Sequence, residues 1–110
     1  MAILNIGTNR IGKDDPFEIA KDIVEIVKLC QKEGCDKVFI SAITTRGDFP
    51  DIVIQLNNIL RAWEGKYDYR LIFNDNIDFP CLAKDKHHLN NKGKTRLRAN
   101  FRNVLKKCLA

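Results

Sequence analysis

The residues best suited to chemistry lie in one stretch, residues 85–93, which contains both histidines of the chain. In this stretch Asp85 stands three residues before His88. A carboxylate at that distance can hydrogen-bond one ring nitrogen of an imidazole and leave the other free to accept a proton. The spacing therefore predicts a carboxylate–histidine pair able to act as a general base. The alternative is an aspartate at the start of a helix beside a surface histidine, which is a common arrangement without catalytic meaning.

The composition is that of one soluble globular domain, which we assign to residues 1–110. Apolar residues make up 45% of the chain and charged residues 30%, which are ordinary proportions for such domains. No apolar run approaches the roughly 20 residues of a membrane helix, and the first residues lack the basic and apolar regions of a secretory signal. We therefore expect a cytoplasmic protein with no membrane contact.

Short apolar runs alternate with helical patterns along the chain. Three buried strands are predicted, at residues 2–6, 37–42 and 69–73. Three helices are predicted, from Pro16 to Gly34, at residues 50–64 with Gly65 as the stop signal, and at residues 91–109 with Asn90 as the cap. This β-α-β-α-β-α order predicts an α/β fold with a parallel sheet, a three-layer architecture of the flavodoxin-like kind.

Helical spacing of apolar residues predicts which side of each helix is buried. The predicted inward-facing residues are Ile19, Ile23, Ile26, Val27 and Cys30 in the first helix, Ile52, Leu56, Ile59, Leu60 and Trp63 in the second, and Leu97, Phe101, Val104, Leu105 and Cys108 in the third. In a parallel sheet the functional loops lie beyond the carboxyl ends of the strands. We therefore expect residues 7–9, 41–48 and 74–88 to meet at one edge.

The cysteines give no sign of a metal centre. None of the four has C-x-x-C spacing and the two histidines are adjacent, so we predict no zinc site and no cofactor, and we expect reduced thiols. The chain also has no Walker loop and no G-x-G-x-x-G pattern. The hypothesis of a flavodoxin-like protein that binds a nucleotide or phosphate therefore has no motif to support it.

Positive charge is concentrated at the end of the chain. The net charge is +5, yet residues 84–110 contain nine Lys or Arg against one Asp. Such a basic helix can contact phosphates, which makes nucleic acid a possible partner. The alternative is a solvated helix face whose cations favour the carboxyl end of the helix. The sequence does not indicate the oligomeric state.

Two short motifs together resemble conserved blocks of the SGNH (GDSL-type) hydrolases. They are Gly7-Thr8-Asn9 after the first strand and Asp85-x-x-His88 before the last helix. In that family a G-x-N-D block supplies an oxyanion-hole asparagine, and a late D-x-x-H block supplies the acid and base of a Ser-His-Asp triad. The continuation L-N-x-x-G matches the late block and selects His88, not His87, as the base. The resemblance implies a catalytic role for His88, Asp85 and Asn9.

The middle of the chain extends the resemblance and also departs from it. Residues 40–48 look like a strand and loop of SGNH-like domains, including those carried by invertebrate retrotransposons, where a proline usually stands in place of Thr45. Arg10 occupies the position at which the family block has an acid. Any bracing of the loop by that acid is therefore lost in this sequence.

The nucleophile of the family is missing from these residues. Its G-D-S block precedes the G-x-N-D block, so the resemblance implies only the C-terminal portion of an SGNH domain. Ser41 is the single serine of the chain and lacks the G-x-S-x-G turn of an exposed nucleophile. We interpret it as a polar residue that satisfies loop backbone at a strand end.

Two functions follow as hypotheses. The first is the C-terminal half of an SGNH-type serine esterase, inactive alone, which would act on a small acyl ester once an N-terminal segment completed it. The second is a non-catalytic SGNH-like module, derived from a mobile element, that binds nucleic acid through its basic last helix.

Overall fold

Three short parallel strands form the centre of the fold, in the order β1-β2-β3. The computed structural model describes residues 1–109. The strands are β1 (Ala2–Leu4), β2 (Val38–Ser41) and β3 (Arg70–Ile72), and β2 pairs with both neighbours. The predicted parallel sheet is confirmed. Each strand is shorter than predicted, because the residues at the ends of each apolar run do not pair with a neighbouring strand.

Four helices connect and cover the strands. They are α1 (Pro16–Lys32), α2 (Pro50–Ala62), the short α3 (Glu64–Tyr67) and α4 (Asn91–Leu109). The start of α4 is set by Asn90, whose side-chain oxygen accepts a hydrogen bond from Gly93 N at 3.0 Å. The prediction that Gly65 stops the second helix is wrong, since Gly65 lies inside α3. The chain leaves α3 at Asp68, which adopts the left-handed conformation.

One face of the sheet packs against α1 and α2 through an apolar core. Its fully buried members are Ile19, Ala20, Val27, Ile40, Leu56 and Leu60. The prediction for Ile26 is wrong, because this side chain is 39% exposed. The buried stripe of α1 also includes Ala20 and Val24, and this places Ile26 roughly 90° around the helix from the centre of the stripe.

The opposite face of the sheet carries α4, which completes the three layers. Helix α4 contacts β3 and a 3₁₀ turn at Phe79–Cys81. Its predicted inward-facing residues are only half-buried, and Leu105 is 37% exposed, so the prediction for Leu105 is wrong. An open groove of about 700 Å³ lies between α4 and strands β2 and β3. The apolar stripe of α4 is therefore only partly covered.

Asparagine side chains attach α4 to the sheet. The buried Asn74, after β3, donates to Ser41 Oγ at 2.9 Å and to the carbonyl of Ala42 at 2.8 Å. Asn100 of α4 in turn donates to Asn74 Oδ1 at 2.9 Å. Asn76 exchanges further amide hydrogen bonds with Asn100. Directional amide contacts thus add to the half-buried apolar residues of α4 in holding this side of the domain.

Candidate active site

The carboxylate of Asp85 organises the turn that carries the histidines. Its Oδ1 accepts hydrogen bonds from the backbone amides of His87 and His88, at 2.9 and 3.0 Å. Its Oδ2 lies 2.5 Å from His88 Nδ1. The bond from the His88 ring, followed by the two amide bonds, holds the pKa of Asp85 well below its usual range. The carboxylate therefore stays ionised at neutral pH and fixes the proton of the imidazole on Nδ1.

The backbone on both sides of this turn is tied to the residues before it. Ala83 N donates to the carbonyl of His88 at 2.7 Å, and Leu82 pairs with Leu89 in an antiparallel bridge. Asn90 Nδ2 donates to the carbonyls of Pro80 and Leu82, at 2.8 and 3.1 Å. These contacts anchor the base of the turn, while the His88 side chain stays 82% exposed.

Asn9 lies in a short 3₁₀ turn, Thr8–Arg10, that follows β1. The left-handed residue of this loop is Gly7, with φ 109°, and not Asn9. Arg10 braces the loop through Asp14 at 2.8 Å and Asp22 at 2.6 Å. The cation thus supplies the bracing that we expected to be lost with the family's acid.

The three predicted loop regions contribute to one cleft at the carboxyl edge of the sheet, of about 340 Å³. Its lining residues are Thr8, Asn9, Ile11, Gly12, Lys13, Arg46, Asp48, Phe49, His87 and His88. Asn9 and His88 therefore face the same space from loops that are far apart in sequence. Asp85 lies behind His88 and reaches the cleft through its contact with the ring.

Three residues of the cleft were not selected from the sequence. Arg46 pairs with Asp48 through two hydrogen bonds of 2.7 and 3.0 Å, which lower the pKa of Asp48. His87 Nδ1 lies 3.1 Å from Asp48 Oδ1, and this histidine also lines the cleft. The sequence did offer one indication of these contacts. Residues 41–48 and 74–88 were predicted to lie at the same edge of the sheet, so their charged side chains were expected to come close together.

Ser41 does not belong to this cleft. Its side chain is fully buried, and its Oγ accepts the hydrogen bond from Asn74. It therefore has neither the exposure nor the contact with His88 that a nucleophile requires.

Residues 1–109 contain neither a candidate metal centre nor a candidate membrane-spanning helix. Within that range no three His, Cys, Asp or Glu side chains are close enough together to hold a metal ion. No helix there combines the length and apolar character needed to cross a bilayer. All four cysteines are free thiols, and Cys81 is fully buried.

Comparison with known proteins identifies the fold. No protein-family model and no curated protein sequence matches this chain. Among solved structures it resembles a GDSL-like lipase from Bacteroides thetaiotaomicron, with a TM-score of 0.81, 17% identity, and coverage of 96% of this chain and 62% of that one. A member of the lipolytic G-D-S-L family from Veillonella parvula gives a TM-score of 0.79 at 19% identity, covering 94% of this chain and 62% of that one.

A third similar structure is the esterase domain of the ORF1 protein from the zebrafish ZfL2-1 retrotransposon. It superposes with a TM-score of 0.74 at 18% identity, over 93% of this chain and 66% of that one. The chain thus has a partial SGNH-like fold and spans about 62% of the length of the two bacterial proteins. The predicted architecture is confirmed at the level of the fold.

Proposed function

We propose that this chain carries the acid–base side of an SGNH-type ester hydrolase site. His88 is the general base, Asp85 orients it, and Asn9 donates to the developing oxyanion. The observation that carries the proposal is the 2.5 Å contact between Asp85 Oδ2 and His88 Nδ1, made while Oδ1 holds the backbone of the same turn. A carboxylate that is merely a helix-start residue has no need to engage the imidazole in this way.

The chemistry follows from where the proton of His88 is held. With Nδ1–H bonded to the carboxylate, the lone pair on Nε2 can accept a proton from a hydroxyl group that attacks an ester carbonyl. The carboxylate of Asp85 then stabilises the imidazolium that forms. Asn9, on the facing loop of the cleft, can donate its amide hydrogens to the tetrahedral oxyanion.

The attacking hydroxyl is the part that these residues do not supply. Ser41 is buried and bonded to Asn74, so the proposal assigns the nucleophile to a serine from an N-terminal segment outside these 110 residues. The substrate class is a small acyl ester. This assignment is supported by the lipase and esterase names of the structurally similar proteins, of which the chain spans only part.

Hydrolysis of p-nitrophenyl acetate by the 110-residue chain tests the pair itself, because an activated ester can be cleaved by water without a serine. We expect Asp85→Asn to lower the rate constant about tenfold, below the 10²–10⁴-fold of a complete general-base site. The imidazole remains in this variant, but the carboxylate that fixes its proton is gone. His88→Ala should lower the rate constant at least as much.

The matched control is Asp75→Asn, which removes an exposed loop carboxylate beyond β3. This variant should keep the full rate constant. If Asp85→Asn hydrolyses the ester as fast as Asp75→Asn does, the activity comes from an unassisted imidazole and the proposed site is wrong.

A second function, nucleic-acid binding, is favoured by the charge pattern of α4. Lys94, Arg98, Arg102 and Lys106 are exposed and stand four residues apart, so they form one row along the helix, the cation row. Like charges at this spacing destabilise a helix by about 0.2–0.5 kcal/mol per pair. No acidic residue occurs in α4. A row that costs stability is better explained by an anionic partner than by solvation alone.

Salt dependence of binding to a single-stranded oligonucleotide checks this second function. Four phosphate contacts predict a slope of about −3 in log K against log salt concentration, at roughly −0.7 per contact. Replacing Arg98 and Arg102 by alanine should reduce the slope by about half. As control, Lys21→Ala with Lys28→Ala removes the same charge from α1 and should leave the slope unchanged. A binding constant that does not change with salt concentration would exclude this function.

A further inference from the structure

Arg46 joins two loops of the cleft. Its Nε and Nη2 donate to the two oxygens of Asp48 on its own loop, at 2.7 and 3.0 Å. Its Nη1 donates to the carbonyl of Thr8 and, at 3.2 Å, to the hydroxyl of Thr8. The side chain is only 12% exposed, so its guanidinium is engaged by protein groups rather than by water. The loop after β2 is thereby fixed to the loop that carries Asn9.

The same loop also holds the histidine turn, at two points. Asp48 Oδ1 lies 3.1 Å from His87 Nδ1, and Gly47 N donates to the carbonyl of Lys86 at 2.6 Å. Since Asp48 can only accept, the proton of His87 lies on Nδ1, and the 3.4 Å approach of Arg46 Nη2 to this nitrogen is a contact and not a hydrogen bond. Gly47 is required here, because a Cβ would lie 2.4 Å from Lys86 Cβ.

We propose that Arg46 and Asp48 are positioning residues that hold the turn so that the Asp85–His88 pair faces Asn9. Asp48 acts through His87, and the loop between Arg46 and Asp48 acts through the bond from Gly47 N to the Lys86 carbonyl. This inference rests on the proposed function, because it concerns the same cleft. We call the three residues Arg46, Asp48 and His87 the clamp.

The exposure of His88 explains why a clamp is needed. An imidazole that is 82% exposed is not oriented by packing, so its direction depends on hydrogen bonds to the turn. An isolated surface ion pair contributes little to the stability of a fold. Arg46 differs from such a pair, since its planar fork holds both oxygens of one carboxylate and a neighbouring loop at once.

The tautomers of the two histidines report the hydrogen bonds of the turn, and they do not depend on the overall stability of the domain. Nitrogen-15 NMR of the imidazoles reports which ring nitrogen carries the proton, and His87 and His88 are the only histidines of the chain. We expect Arg46→Lys and Asp48→Asn each to lower the ratio of the Nδ1–H to the Nε2–H form of His88 by roughly threefold, since both residues belong to the hydrogen-bond network that holds the histidine turn. Arg70→Lys and Asp75→Asn, at exposed positions outside the cleft, should leave the ratio unchanged.

Gly47→Ala disturbs the same turn from the backbone side and should lower the His88 ratio in the same direction. If a clamp variant does not fold, the His88 ratio of Gly47→Ala is measured instead. The inference is overturned if the folded variants keep the ratio of the unaltered chain. Asp85→Asn separates this outcome from failure of the proposed function. If Asp85→Asn also leaves the ratio of His88 unchanged, there is no functional pair for the clamp to position.

Discussion

Replacing Gly93 with alanine is expected to lower the free energy of unfolding by about 2 kcal/mol, the usual cost of forcing one extra carbon into a packed site. The same change in an open helix interior stabilises by roughly 0.8–1.0 kcal/mol. The sign reverses here because a Cβ on Gly93 would lie 2.5 Å from the carbonyl oxygen of Cys81 and 3.0 Å from Leu89 Cβ. The first turn of α4 and the end of the histidine turn would have to separate.

Urea denaturation measures this effect, and Gly65→Ala is the matched control. Gly65 lies in α3 with nothing within 4 Å of the added Cβ, so alanine there should be neutral or stabilising. Equal effects at the two glycines would show that the close approach at Gly93 is not maintained in solution. The expected difference also gives a physical reason for the final glycine of the L-N-x-x-G pattern.

Replacing Asn74 with alanine is expected to have the largest effect of any polar substitution, about 3 kcal/mol of unfolding free energy, since an unpaired buried polar group costs roughly 1–3 kcal/mol. The change removes the donor to Ser41 Oγ and the Ala42 carbonyl. It also removes the acceptor for Asn100. Helix α4 then loses its amide link to the carboxyl ends of β2 and β3.

The control for this substitution is Asn58→Ala, at an exposed position of α2, where the free energy of unfolding should change by less than about 0.5 kcal/mol. Ser41→Ala should give an intermediate loss of about 1 kcal/mol, the typical value of one hydrogen bond. If Asn74→Ala is as mild as Asn58→Ala, the amide network does not hold α4.

Local signals explain what could be predicted of the fold. The start of α4 follows from Asn90, whose side chain caps the helix within three residues of sequence. The alternation of strands and helices likewise follows from neighbouring residues. The exposed Leu105 could not be predicted, because its burial depends on how much of the sheet α4 covers. Gly65 failed as a stop signal because Asp68 provides the left-handed residue instead.

The candidate site likewise contains contacts that are local in sequence, which could be predicted, and contacts between distant residues, which could not. The Asp85–His88 contact spans three residues of one turn, so spacing alone predicted it; the catalytic role of His88, Asp85 and Asn9 stays a prediction. The clamp joins Asp48 to His87 across 39 residues of sequence. Such a contact depends on the register of β2 and β3 and on the shape of two loops, which no local pattern encodes. Strand order indicated only that these loops would meet.

The different attachment of helices to the two faces of the sheet has a thermal consequence. Apolar burial under α1 and α2 raises the heat capacity of unfolding, and this stabilisation weakens on cooling. Exposure of the amides of Asn74 and Asn100 changes the heat capacity in the opposite direction, because polar hydration lowers it. Cooling therefore weakens the apolar packing of α1 and α2 more than it weakens the amide hydrogen bond between Asn74 and Asn100.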